Sequence, residues 1–211
     1  MNAYKAEDLV HAGASLGRAG LAPGTTGNLS VIVHDGALVT ATGARLGELA
    51  VHEVAKIDRE GRPVSGSPAT KEVPLHVAIY RGRPDIAAVV HLHSPAALAV
   101  SCLADIAAED PLPVYTPYYA MRVGTVHTLD YFPPGDDRLG DAAARSFAQG
   151  ADALILRNHG LVCAADTLAS AVAAAEELEA NCELHLRLAG LQVRALQPDD
   201  VDDLRRRWRS R

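Results

Sequence analysis

The chain has 211 residues, 48% of them hydrophobic, and a formal net charge of -6. That length buries a substantial core in one globular domain. The acidic balance excludes general nucleic-acid binding, which rests on an excess of Lys and Arg. No apolar run is long enough for a membrane span, because Glu176 and Glu177 cut the Ala-rich stretch at 169–175.

Lys5, Glu7 and Asp8 interrupt the first residues, so no signal peptide is expected. Cys102, Cys163 and Cys182 are odd in number and far apart, which suggests reduced thiols and a cytoplasmic protein. Residues 5–18 read as an Ala-rich helix stopped near Gly20. The loop Pro23-Gly24-Thr25-Thr26-Gly27-Asn28 leads to a strand at 29–33. Asp35-Gly36 signals a hairpin into a second strand at 37–40, and Thr42-Gly43 makes a turn before a third strand at 54–57. Residues 59–68 read as loop, and Val73 to Arg81 as a helix with Pro74 in its first turn.

The run Ile86 to Val90 is short and rich in β-branched residues, the pattern of a buried strand, and it ends on His91-Leu92-His93. A helix follows from Pro95 to Leu103. Residues 111–137 read as irregular, 141–149 as a helix, 153–156 and 161–164 as strands, and 168–188 as a long helix. The acidic stretch 199–203 followed by Arg205-Arg206-Arg207-Trp208-Arg209 suits the macrodipole of a short terminal helix better than a nucleic-acid arm. Early hairpins with helices throughout predict an α/β layered domain with a mixed or antiparallel sheet. No linker or internal repeat divides residues 1–211, so one domain is expected.

Side chains alternate along a strand, so His91 and His93 share a face and could grip one metal ion. They could equally be buried structural histidines bonded to backbone. His159, in Arg157-Asn158-His159-Gly160 after another apolar run, is a candidate third imidazole. Three imidazoles with an open position characterise a catalytic zinc site. Glu72 in Thr70-Lys71-Glu72 reads as a carboxylate favoured by a helix N-terminus, or as an acid/base near the metal. The Gly24–Asn28 loop is no dinucleotide or Walker fingerprint. Its hydroxyls, amide and glycine-permitted backbone N–H groups could nevertheless form an anion nest, as could those of Thr42-Gly43 and Thr70-Lys71.

Taken in order, Gly-Thr-Thr-Gly-Asn-Leu-Ser from Gly24, Thr-Ala-Thr-Gly from Thr40, Thr-Lys-Glu from Thr70, Arg-Pro-Asp-Ile-Ala-Ala-Val-Val-His-Leu-His-Ser from Arg83 and Arg-Asn-His-Gly-Leu-Val from Arg157 resemble the class II aldolase/adducin family. The resemblance implies a single α/β/α domain with a central, mainly antiparallel β-sheet, usually assembled as a homotetramer. It implies Zn2+, with Mn2+ or Co2+ as alternatives, bound by His91, His93 and His159, and Glu72 as acid/base that also contacts the metal. Thr25, Asn28, Thr42, Gly43 and Thr70 are the implied phosphate contacts, and Lys71 is a candidate positive charge for the phosphate or for the other end of the substrate. Tyr118, Tyr119 and Arg122 are candidate contacts at the other end of the substrate, from whichever subunit presents them.

Thr-Lys-Glu at Thr70 and the Thr116–Gly124 segment look like the 3-oxo-tetronate 4-phosphate decarboxylase branch. Ala41 and Thr26 depart from the residues common in the family at those positions. The branch implies loss of CO2 from a phosphorylated four-carbon sugar acid through a metal-bound enediolate, leaving dihydroxyacetone phosphate. A fuculose-phosphate-like aldolase or a ribulose-phosphate 4-epimerase is the alternative. Retention of Glu72 and the three histidines argues against a non-enzymatic adducin-like module.

Overall fold

The structure is a computed structural model that describes residues 4–209; residues 1–3 and 210–211 of the expected domain lie outside the described residues. Helix α1 (Ala6–Arg18) leads to the hairpin of β1 (Asn28–Val33) and β2 (Gly36–Thr40), then β3 (Val54–Ile57) and β4 (Pro63–Ser65). Next come α2 (Val73–Gly82), β5 (Ala88–Leu92), α3 (Pro95–Ser101), α4 (Pro117–Arg122) and β6 (Val126–Leu129). The chain continues through α5 (Asp137–Ala148), β7 (Ala153–Leu156), β8 (Gly160–Ala165), α6 (Leu168–Arg187) and α7 (Pro198–Arg209).

The strands form an eight-stranded sheet in the order β4-β3-β2-β1-β5-β8-β7-β6. Only the β6–β7 pair is parallel. Leu29, Val31, Val90, Leu92 and Ile155 pack with α1, α3 and α6 on one face, while Val89, Leu154 and Val162 meet Leu75 and Ile79 of α2 and Phe147 of α5 on the other. This is the expected α/β/α layering with a mainly antiparallel sheet. All five residues of β5 are buried because both its faces are covered, which is why it reads as a continuous apolar run. Burying each Leu or Phe of these layers is worth roughly 1.5–3 kcal/mol relative to exposure.

The expectation for 111–137 is corrected. That segment holds α4, whose N-cap Thr116 accepts from the Tyr119 N–H, and β6, which joins the sheet beside β7. One short helix and one short strand fell below the length at which periodicity shows. Helix α5 also begins earlier than expected, at Asp137, where the Asp136 carboxylate caps the Arg138 N–H. The expected loop at 59–68 contains β4, a wholly exposed edge strand with no apolar face to announce it. The expected terminal helix is present as α7. Among the described residues no helix is long and apolar enough to cross a membrane.

The topology gathers one end of the sheet. Asn28 opens β1 opposite His91 near the end of β5, and Leu92 pairs with Leu161 at the start of β8. Two glycines permit this closeness. A Cβ on Gly27 (φ 82°) would lie 2.8 Å from the His91 carbonyl, and one on Gly160 (φ 150°) would lie 2.2 Å from that of Leu92. Only glycine is comfortable at such φ values with the backbones this near.

Candidate active site

Alternation along β5 puts His91 on the face shared with Val89, toward α2. His93 follows the strand directly. His159 comes from the tight β7–β8 turn, in which Asn158 takes a left-handed φ of 55° and the His159 N–H donates to the Leu156 carbonyl at 3.0 Å. Glu72 immediately precedes α2. These four residues each present a ligand atom within 4.8 Å of the other three. His91 Nε2 is 3.2 Å from Glu72 Oε2, His159 Nε2 is 3.3 Å from Glu72 Oε1, and His91 and His93 bring their Nε2 atoms to 3.1 Å. The three rings stand edge to face, with centroids 4.7–4.9 Å apart.

The donor set fits a metal ion. His91 Nδ1–H donates to the Leu161 carbonyl at 2.8 Å, so in the neutral ring Nε2 is a bare lone pair aimed into the cluster. Lone pairs facing one another at such distances repel unless a cation or proton lies among them. Glu72 Oε1 and His159 Nε2 are buried without a hydrogen-bond partner, the state of atoms reserved for a ligand.

The site's titration follows from this crowding. Burial pushes the Glu72 carboxyl up, but the His91 and His159 imidazoles facing it and the Asn28 N–H outweigh this and hold the group well below the carboxylate range. His91 moves the other way. Its burial favours the neutral ring, yet Glu72 and the Leu161 carbonyl raise its pKa above the ordinary value. Burial, with the neighbouring His91 and His159, lowers His93 to about 4.

Residues 7–186 match the family model described as the Class II Aldolase and Adducin N-terminal domain. The chain belongs to this family. It is 40% identical over 198 residues to the 3-oxo-tetronate 4-phosphate decarboxylase of Pectobacterium atrosepticum, covering 93% of this chain and 90% of that protein. It is 35% identical over 163 residues to the L-fuculose phosphate aldolase of Methanocaldococcus jannaschii, covering 77% and 85% respectively. The solved structure of YgbL from Klebsiella pneumoniae superposes with a TM-score of 0.90 at 40% identity, covering 95% of this chain and 97% of that one.

In this class II aldolase chain the expected phosphate loops lie at the same end of the sheet as the cluster. The Thr70 N–H donates to the Thr40 carbonyl, and the Leu29 N–H donates to Thr40 Oγ1, tying the Thr70 loop to the β1–β2 hairpin beside Asn28. Thr25, Thr42, Gly43 and Lys71 are exposed and Thr70 is half-buried. Asn28 is buried, and its Nδ2 donates to Glu72 Oε2 at 2.7 Å.

The structure does not bring Tyr118, Tyr119 or Arg122 to the cluster within one protomer. Arg122 lies 3.3 Å from Glu177 and over the exposed Tyr118 ring. It shares a cavity with Asp85, Asp152 and Ala165, at the end of the sheet where β5 begins and β8 finishes, opposite the histidines. Tyr119 is buried in its own core.

Sequence reading missed Glu179, a buried carboxylate of α6 that accepts from Ser94 Oγ (2.7 Å) and from the N–H groups of Ala96 (2.6 Å) and Ala97 (2.8 Å). It caps α3 directly after His93 and so fixes where that side chain leaves the strand. An acid spaced i, i+4 from the buried Ala171 and Ala175 was the available signal. Glu179→Ala is expected to cost about 1–3 kcal/mol by leaving the buried donors unpaired. Urea unfolding of the metal-free variant measures this, and an unchanged midpoint would contradict the capping role.

Proposed function

We propose that the chain is a metal-dependent lyase that decarboxylates a 3-oxo-tetronate 4-phosphate to dihydroxyacetone phosphate and CO2. The observation that carries the reading is the buried, unpartnered Glu72 Oε1 among three imidazoles, in a chain 40% identical to a decarboxylase of that name. His91, His93 and His159, with Glu72, would hold the ion. Zinc suits three imidazoles, and Mn2+ or Co2+ are alternatives. When bound, the ion supplies Lewis acidity toward the substrate ketone.

The chain's own residues supply the rest. Thr25, Asn28, Thr42, Gly43, Thr70 and Lys71 would anchor the phosphate, so binding energy remote from the breaking bond orients the substrate. The C1–C2 bond breaks and its electrons move toward the C3 oxygen, giving CO2 and an enediolate. C2 then takes a proton from Glu72. Glu72 is anionic in the cluster, so it must first gain a proton from solvent water, which supplies the one proton the net reaction consumes. The negative charge of a bound substrate nearby favours that gain. Oε2 is held by Asn28, which leaves Oε1 as the oxygen free to carry the proton.

Tyr118 and Arg122 would have to be presented to the site of another copy, in keeping with a homotetramer. The three unpaired cysteines, two of them buried, suit a cytoplasmic enzyme. A sugar-phosphate aldolase is the second reading, supported by the 35% identical fuculose phosphate aldolase. A panel of four-carbon 3-oxo-acid 4-phosphates and ketose 1-phosphates, given to metal-replete protein, separates the two. CO2 with dihydroxyacetone phosphate is expected from the former. Aldehyde from the latter with no CO2 would overturn decarboxylation.

A further inference from the structure

Behind Glu72 lies a string of hydrogen bonds that the proposed chemistry leaves unused. Asn28 Oδ1 bonds to Nε2 of His76, a fully buried residue one turn along α2 from Glu72. His76 Nδ1 is 2.6 Å from Ser30 Oγ, and Ser30 Oγ is 2.6 Å from the Tyr80 hydroxyl. The string thus crosses back and forth between β1 and α2 and ends on the Tyr80 hydroxyl.

The direction of every bond follows from its end. A carboxylate only accepts, so Asn28 must turn its NH2 to Glu72 and its carbonyl oxygen to His76. His76 Nε2 must then carry the hydrogen. The ring is fully buried and its nitrogens meet an amide oxygen and a hydroxyl rather than a carboxylate, so it is neutral and Nδ1 is an acceptor. Ser30 O–H donates to Nδ1, and Tyr80 O–H donates to Ser30 Oγ. All donors in the string point toward Glu72. An amide does not pass protons on at neutral pH, so the string holds rather than conducts.

We propose that His76, Ser30 and Tyr80 are positioning residues that lock the Asn28 amide with its N–H on Glu72 Oε2, and thereby reserve Oε1 for the reacting proton. The proposal rests on the reading of Glu72 as proton donor. With the opposite His76 tautomer, Nε2 would demand a donor from Asn28 and turn the amide oxygen against the Glu72 carboxylate.

Two measurements test this. Nitrogen-15 NMR of histidine-labelled, metal-loaded protein should find His76 neutral with the hydrogen on Nε2; a hydrogen on Nδ1, or a charged ring, overturns the proposal without any substrate. In kinetics, His76→Leu should lower kcat about 10–100-fold, as loss of an orienting partner does, with KM and bound metal near wild type. His76→Gln, whose amide can still donate to Asn28, should recover most of that loss. Equal kcat in wild type and His76→Leu, or no recovery by Gln, overturns positioning. Should His76→Leu not fold, Ser30→Ala with Tyr80→Phe is read the same way, with a smaller fall in kcat expected and an unchanged kcat overturning the proposal. Wild-type protein that releases no CO2 would instead defeat the decarboxylase reading, and the NMR result would still decide how the string is oriented.

Discussion

Glu72→Gln is expected to lower kcat by about 10²–10⁴-fold while the protein keeps its metal, the span a positioned general acid or base typically contributes. The substitution keeps the shape of the side chain and leaves the three imidazoles in place. A Gln carbonyl can still accept from Asn28 Nδ2, which bonds Glu72 Oε2 at 2.7 Å in the native chain. What disappears is the second oxygen, which would carry the reacting proton. Among the described residues, the cluster around Glu72 holds three imidazoles and no other carboxylate. No second carboxylic acid therefore stands in as donor. Carried out in D2O, the wild-type reaction should place deuterium on the product carbon that was C2 of the substrate, with one stereochemistry. The variant's residual reaction should scramble it, because protonation then comes from free water. Metal content is read in the same preparations. Full turnover in a metal-replete variant would refute Glu72 as the proton donor.

The fold was legible where one pattern decides one element. The apolar run into His91, the Asp35-Gly36 hairpin and the 20-residue α6 each carry a periodicity, or a turn dipeptide, that has no rival reading. Six-residue α4 and four-residue β6 carry too few repeats, although Thr116-Pro117 was a readable N-terminus for α4. At the site, alternation alone placed His91 and His93 on one face. It could not bring in His159 or Glu72, because their approach depends on pairing β5 with β8 and on where α2 starts. The ordered resemblance supplied that long-range information.

Residues that hold other residues were the least visible. Ser30 interrupts an apolar strand and His76 an apolar helix turn, and each alone looks like a tolerated polar residue. Their meaning appears only when β1 and α2 are seen to face each other across Asn28. The same holds for Glu179, whose partners lie across the gap between α6 and α3. Such residues are costly to bury unpaired, so a polar residue on an apolar stripe is itself a sequence-level pointer to a partner elsewhere.

His93→Ala is expected to weaken metal binding by at least about 100-fold, more than the loss of an outer-shell partner usually costs. Of His91 and His93, His93 is the less encumbered by a proton. Its pKa of about 4 leaves the lone pair free throughout the neutral range, whereas His91 binds a proton more tightly than an ordinary histidine because Glu72 faces it. Metal must displace that His91 proton, so affinity falls as pH decreases, and the fall sets in above the ordinary histidine value of 6.5. His93 adds to the loss only as pH approaches 4. Chelator competition across pH, with metal measured in the protein fraction, tests both statements. A thermal readout checks the same site without turnover. Metal at 100 times its Kd should stabilise the wild type by about 2.7 kcal/mol, and the same concentration should leave His93→Ala nearly unshifted. A variant that melts like the wild type at every metal concentration would remove His93 from the ligand set. The Glu72→Gln protein serves as the control, since loss of turnover with retained metal-dependent stabilisation separates the proton's role from the ion's.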